Sequence, residues 1–273
     1  MKITFIGGGN MAGALIGGLR ASGIAASEIA VVEPLAQARE RLVSTHGVAV
    51  AEDAATLAPG SDAIVLAVKP QQLPAVARAL APHVGQAMVL SIAAGIRLAD
   101  IRRWLGDRAD LALVRSMPNT PALIGMGVSG VYAGADVGDA ARALAERILS
   151  AAGKVCWVER EQLLDPVTAV SGSGPAYVFY FLEALQAAGA ALGLAPETAR
   201  ELALETVRGA AELAARSSED FATLRTRVTS PGGTTERALA SLEADGVTAA
   251  IARALQAADA RAAELADQLG RTP

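Results

Sequence analysis

Cys156 is the only cysteine in the 273 residues, which excludes an intrachain disulfide framework and a cysteine-built metal site. Flanked by Val155 and Trp157, it reads as a small buried hydrophobe. Histidine is nearly as scarce: His46 and His83 are the only two, both near helix ends ahead of strands, where they read as surface residues. Lysine occurs at Lys2, Lys69 and Lys154 alone, and aromatic residues make up 3%. The net charge of −4 argues against a nucleic-acid surface. Mean hydropathy is +0.35, yet no apolar run approaches the ~18 residues of a membrane helix. The longest candidates are residues 62–68, which is strand-sized, and the small-sided stretch 187–195. Met1-Lys2 leads straight into Ile3-Thr4-Phe5-Ile6, without signal-peptide organisation. With 52% hydrophobic and 19% charged residues, there is ample material for a core. The expectation is a soluble, cytoplasmic protein of one large or two modest domains, with no metal, membrane or nucleic-acid partner.

What is present is an alternation. Residues 2–6, 29–33, 48–50, 63–68, 88–92 and 111–114 read as strands, and 128–132 and 155–158 as added ones. Helices are expected over 10–22, with Gly23 as the stop, from Pro34 onward, and from 70 to 80. Strands apolar on both faces and alternating with helices imply a parallel sheet covered on both sides. Beyond Glu159 no strand pattern persists. Helices are expected near 162–170, 175–192, 196–215, 221–227, 234–244 and 247–269, the last with Ile251, Leu255, Ala258, Ala262 and Leu265 at helical spacing. These alanine-rich helices supply little bulky area each, which points to a second subunit covering them. The fold class is α/β: a doubly wound N-terminal sheet over 1–159, then an all-α domain over 160–273.

Gly7-Gly-Gly9-Asn10-Met11-Ala12 follows the first strand and opens the first helix, in the G-x-G-x-x-A form of the Rossmann fingerprint. Gly7 permits the tight turn, Gly9 lets backbone approach a pyrophosphate, and Ala12 lets helix pack on strand. The helix start offers N–H groups and partial positive charge to phosphates. This motif in this context implies a nicotinamide or flavin dinucleotide. Glu33 ends the second strand, where a carboxylate accepts hydrogen bonds from the adenosine ribose and repels a 2′-phosphate. That tilts toward NADH. Arg39 and Arg41, on the next helix, are candidates to reach a phosphate, so the preference stays open.

Three further stretches are more specific: Ala67-Val68-Lys69-Pro70-Gln71, Ser171-Gly-Ser-Gly-Pro-Ala-Tyr177 and Val228-Thr-Ser-Pro-Gly-Gly-Thr-Thr235. With Gly7–Ala12, Ser91-Ile-Ala93-Ala94-Gly95 and Arg115-Ser-Met-Pro-Asn-Thr-Pro121, they make the chain resemble pyrroline-5-carboxylate reductase along essentially its whole length. The resemblance implies reduction of 1-pyrroline-5-carboxylate to L-proline by NADPH or NADH, the last step of proline biosynthesis. It also implies a Rossmann domain, a helical dimerisation and substrate-binding domain, and a homodimer or ring of dimers. Ala67, Val68, Lys69 and Pro70 would then lie beside the nicotinamide half of the cofactor, with room for its ring left by Ala93, Ala94 and Gly95. Ser230, Gly232, Gly233, Thr234 and Thr235 form the substrate-binding candidate. Consecutive glycines expose N–H groups at a helix start and flanking hydroxyls can donate, a pattern beyond an ordinary cap. By resemblance, the amides of Gly233, Thr234 and Thr235 hold the carboxylate. The Thr235 hydroxyl then faces the ring nitrogen, making it the catalytic candidate, although it is too weak an acid to serve as general acid near neutral pH.

Asn119, between Pro118 and Pro121, is open between a structural and an active-site role. Ser171–Pro175 reads as a helix start with Ser173 near the cap and Pro175 in the first turn, or as a close approach to substrate or another subunit. Two rival functions fit the residues less well. A 3-hydroxyacid dehydrogenase of related plan relies on a lysine in its helical half, and here that half has none. A non-catalytic dinucleotide sensor has no use for an anion site at 230–235.

Overall fold

The computed structural model describes residues 1–271. Among these, eight strands form one sheet: β1 (Ile3–Ile6), β2 (Ile29–Val32), β3 (Ala49–Ala51), β4 (Ala63–Leu66), β5 (Met88–Ser91), β6 (Leu113–Met117), β7 (Gly127–Ala133) and β8 (Gly153–Trp157). Their order is β3-β2-β1-β4-β5-β6-β7-β8. Strands β1 to β6 pair parallel, β7 runs antiparallel to β6, and β8 is parallel to β7. The order reverses between β1 and β4, which sit side by side in register Ile6 to Leu66. That switch point is where open α/β sheets bind ligands, at the carboxyl ends of the strands.

Every residue of β1, β2, β4 and β5 is buried, because helices cover both faces. These are α1 (Asn10–Ala21), α2 (Ala36–His46), α3 (Ala54–Leu57), α4 (Leu73–Leu80), α5 (Leu98–Trp104) and α6 (Asp139–Ser150). One core gathers Phe5, Leu15, Ile16 and Leu149 under α1 and α6, and the other gathers Leu66, Leu73, Leu80 and Ile101 under α4 and α5. Each such side chain contributes about 1.5–3 kcal/mol of burial. Helices α7 (Leu164–Val167), α8 (Gly174–Ala191), α9 (Pro196–Arg216), α10 (Phe221–Arg227), α11 (Thr234–Ala244) and α12 (Val247–Gly270) make up the rest.

Contacts divide the chain into two compact units. The first comprises residues 1–173 together with the chain from Ala257 onward; the second is Gly174–Gln256. The expected division at 159/160 falls elsewhere for a physical reason: α7 and the end of α12 pack on the sheet unit. Arg115 of β6, 4% exposed, donates to Glu161 at 3.1 Å, and Glu161 also accepts from the Leu98 N–H at 2.7 Å. Arg97 pairs with Asp267 at 2.8 Å, and Arg103 donates to the Gly270 carbonyl at 2.6 Å. In the second unit, α9 buries only Ala199 and Ala203, while Phe179, Tyr180, Leu192 and Phe221 are exposed.

Four expectations are corrected. Pro34 does not open a helix: α2 begins at Ala36, and the Leu35 N–H ahead of it is taken by the Glu33 carboxylate. Ser173 directly precedes α8, with Pro175 in its first turn, but no break separates that helix from the one before. Residues Thr168–Gly172 form a π-turn continuing from α7, and the Ser173 N–H donates to the Thr168 carbonyl at 2.8 Å. Cys156 is exposed, because β8 is an edge strand along which Lys154 and Cys156 face outward. The histidines are half-buried rather than plain surface residues. The His46 ring lies beside Gly17 of α1, where a Cβ would make ordinary contact with it at 3.5 Å.

Candidate functional site

In the first unit, the carboxyl ends of β1, β2 and β4 converge. Gly7 takes φ +102°, and a Cβ there would stand 2.9 Å from the Ala67 backbone, so the turn after β1 and the exit of β4 meet only because Gly7 is glycine. Its N–H donates to the Val32 carbonyl at 2.8 Å, tying in β2. Gly9 occupies the N-cap position of α1 and gives no side-chain cap. A Cβ built on it would meet nothing within 4 Å. Asn10 beside it is exposed, Met11 is partly covered and Ala12 is buried against the sheet. The bare backbone and open helix start are the cradle a pyrophosphate needs, so the residues present fit a dinucleotide.

Glu33, 9% exposed, is fixed by its own backbone neighbours. One carboxylate oxygen accepts from the Gly8 N–H at 2.9 Å and the other from the Leu35 N–H at 3.0 Å. A cleft of ≈ 940 Å³ runs between Gly7–Gly9, Glu33–Leu35 and Ala67–Lys69, with Gln72 and Val76 on its wall. Lys69 is exposed there, and Pro70 starts the turn into α4. Of the residues expected near the nicotinamide, Ala94 is exposed, whereas Ala93 is buried in the core. Gly95 takes φ +69°, and its open side faces Leu265, Ala266 and Leu269 of α12. Ala93 thus borders the core and Gly95 borders α12.

Asn119, buried, uses both ends of its amide structurally. Its Nδ2 donates to the Ser171 carbonyl at 3.1 Å and its Oδ1 accepts from the Val128 N–H at 2.9 Å. Gly172 packs against the Met117 side chain. The 115–121 and 171–175 motifs thus brace each other, with Arg115 locked beneath them. Burial raises the Asp165 carboxyl above its ordinary value, against the pull of Arg115 and Arg97. Glu52 and Asp53, which follow β3 and line the same cleft as Glu33, were not singled out from sequence. Their position after a strand of the parallel sheet was the available signal.

The second unit carries the other motif. Gly232 takes φ +71° and its N–H donates to Glu236 Oε2 at 2.7 Å. The Gly233 N–H closes a turn on the Ser230 carbonyl at 3.0 Å. Gly233 is the N-cap of α11 and contributes no side-chain cap. The amides of Gly232 and Gly233 are therefore engaged within the loop, leaving Thr234 and Thr235 as the first-turn donors. The Thr235 side chain is partly covered, and Ser230 and Thr234 are exposed.

A family model described as pyrroline-5-carboxylate reductase dimerisation matches residues 161–265, and one described as NADP oxidoreductase, coenzyme F420-dependent, matches residues 2–95. Over 271 residues the chain is 48% identical to the pyrroline-5-carboxylate reductase of Pseudomonas aeruginosa, covering 99% of this chain and 98% of that protein. The chain belongs to the pyrroline-5-carboxylate reductase family. It is accordingly an NAD(P)H-dependent oxidoreductase acting on a C=N bond. The Synechocystis pyrroline-5-carboxylate reductase is 42% identical, over 97% of this chain and 98% of that protein. Among solved structures, the pyrroline-5-carboxylate reductase of Coxiella burnetii superposes with a TM-score of 0.93 at 41% identity, covering 97% of this chain and 98% of that one. The Plasmodium falciparum enzyme, solved with NADP bound, gives 0.85 at 28% identity with the same coverage. The dimerisation match overlaps the helices whose aromatic and leucine side chains stand exposed, and the family assignment makes the chain a homo-oligomer.

Proposed function

We propose that this family member reduces the C=N bond of 1-pyrroline-5-carboxylate to give L-proline, and that its two units divide the work. Bound NADH or NADPH supplies the hydride. In the sheet unit, Gly7, Gly9 and the backbone of Asn10–Ala12 hold the pyrophosphate, Glu33 accepts from the adenosine ribose, and Ala67–Pro70 with Ala93–Gly95 shape the nicotinamide end. In the helical unit, the Thr234 and Thr235 amides grip the substrate carboxylate, where α11 adds about 0.3–1 kcal/mol of field, more when partly covered. Ser230, Gly232 and Gly233 set that loop. The Thr235 hydroxyl orients the ring nitrogen; the proton arrives with an already protonated imine or from water.

The observation that carries the substrate assignment is the α11 start, with glycines on its approach, no side-chain cap and hydroxyls on both sides. The assembly is a dimer or ring of dimers. Mixing the protein with 1-pyrroline-5-carboxylate and NADH or NADPH should bleach the nicotinamide absorbance. No oxidation with either cofactor refutes the reading.

A further inference from the structure

We propose that this chain selects NADH over NADPH, with Glu33 and Glu52 as the selecting residues and Arg39 as the residue positioning the turn that carries Glu33. The inference rests on the dinucleotide reading above and asks which dinucleotide the cleft accepts.

Glu33 stands at the end of β2, where the adenosine ribose lies in this fold. It is held there by the Gly8 and Leu35 amides, with little freedom to swing aside. The same cleft is lined by Glu52 and Asp53, from the end of β3. Asp53 is occupied in capping α3 through the Ala55 N–H at 2.8 Å. Glu52 is exposed, 3.7 Å from Arg39. A 2′-phosphate carries about 1.5–2 negative charges near neutral pH and would enter among these carboxylates.

Two arginines stand near the cleft without lining it. Arg39 Nη1 donates to the Glu33 and Pro34 carbonyls, both at 2.7 Å, so its guanidinium clamps the turn from behind. Arg39 does not line the cleft. Arg41 lines an adjoining groove along α1 that shares Gly8 and Gly9 with the cleft. Among the described residues lining the cleft, the one cation is Lys69, on the β4 exit. Of the two arginines that the sequence left open as phosphate partners, Arg39 is engaged by the turn and by Glu52, and Arg41 stands on the α1 side of the glycine loop. Like charges a few ångströms apart at an effective dielectric near 20 are enough for a discrimination of about tenfold or more.

The experiment is equilibrium titration of the full-length enzyme with NADH and with NADPH, read by nicotinamide fluorescence, beside kcat/KM with each cofactor. The wild type should bind NADH about tenfold or more tightly than NADPH. Glu33→Gln should narrow that ratio chiefly by improving NADPH. Glu52→Gln, at an exposed position that leaves the fold undisturbed, should narrow it less. Arg39→Ala should weaken NADH binding as the turn loosens, and Arg39→Lys should restore part of the loss. Equal or tighter binding of NADPH by the wild type, or a ratio unmoved in both neutralised variants, overturns the inference while leaving the reductase intact. Binding of neither dinucleotide overturns the cofactor reading and this inference with it.

Discussion

At Gly232 the backbone N–H is already given to Glu236, so this residue holds the loop rather than the substrate. Replacing Glu236 with Ala removes one exposed charge-assisted bond and lets residues 231–233 loosen. The KM for the imine should rise about 2–10-fold with kcat nearly unchanged, and Glu236→Gln should recover most of it. Steady-state kinetics on the two variants checks the split. Thr235→Ala should lower kcat/KM while leaving NAD(P)H binding intact; an unchanged kcat/KM would remove Thr235 from the site. His46 offers a test by pH. Burial, then the charge of Arg20, lowers its pKa from 6.5, so the fold favours the neutral ring. Its contribution is full above that ordinary value and is lost as pH falls below it. The melting temperature of His46→Gln should therefore fall less than that of the wild type between about pH 7 and pH 5. Residue roles were legible where chemistry restricts the choice: Gly7, at φ +102° against Ala67, is one. They were illegible where the partner is distant in sequence. Nothing near Asn119 in the chain announces Ser171, and nothing near Arg115 announces Glu161.

Among the elements, α10 and α11 occupy the ranges expected of them, Phe221–Arg227 and Thr234–Ala244, and the Asp220 side chain caps the first. The passage from α7 through the π-turn into α8 was not readable, because Gly172-Ser173-Gly174-Pro175 has the composition of a break. Partners distant in the chain hold the helical turns there: Asn119 donates to the Ser171 carbonyl and the Met117 side chain lies against Gly172. Local sequence reports propensity, and tertiary contact decided this one. Close packing of α1 on the segment after α6 depends on Gly18: a Cβ there would stand only 1.9 Å from the Ala151 carbonyl oxygen. Gly18→Ala forces backbone against backbone and should cost about 1–3 kcal/mol. In a chain this long, that lowers Tm by about 2–4 °C per kcal/mol, readable by calorimetry, and it leaves the dinucleotide residues unaltered.

For the whole molecule, the sparse burial in Gly174–Gln256 is the feature that composition foresaw. Alanine-rich helices leave Phe179, Tyr180, Leu192 and Phe221 without cover inside the chain. Light scattering should return a particle mass at least twice the 27.7 kDa of one chain. A monomer at working concentration would contradict the homo-oligomer. The doubly wound parallel sheet was legible because strands and helices alternate strictly up to β6. The return of the chain end was not, since helical spacing shows that a face is apolar and not what it meets. That return has a consequence for how the protein is made. The surface around Gly95 is covered by Leu265, Ala266 and Leu269, and Arg97 and Arg103 find their partners at Asp267 and Gly270. A nascent chain leaving the ribosome can therefore assemble β1 to β6 early, yet it holds an open flank until α12 has been made.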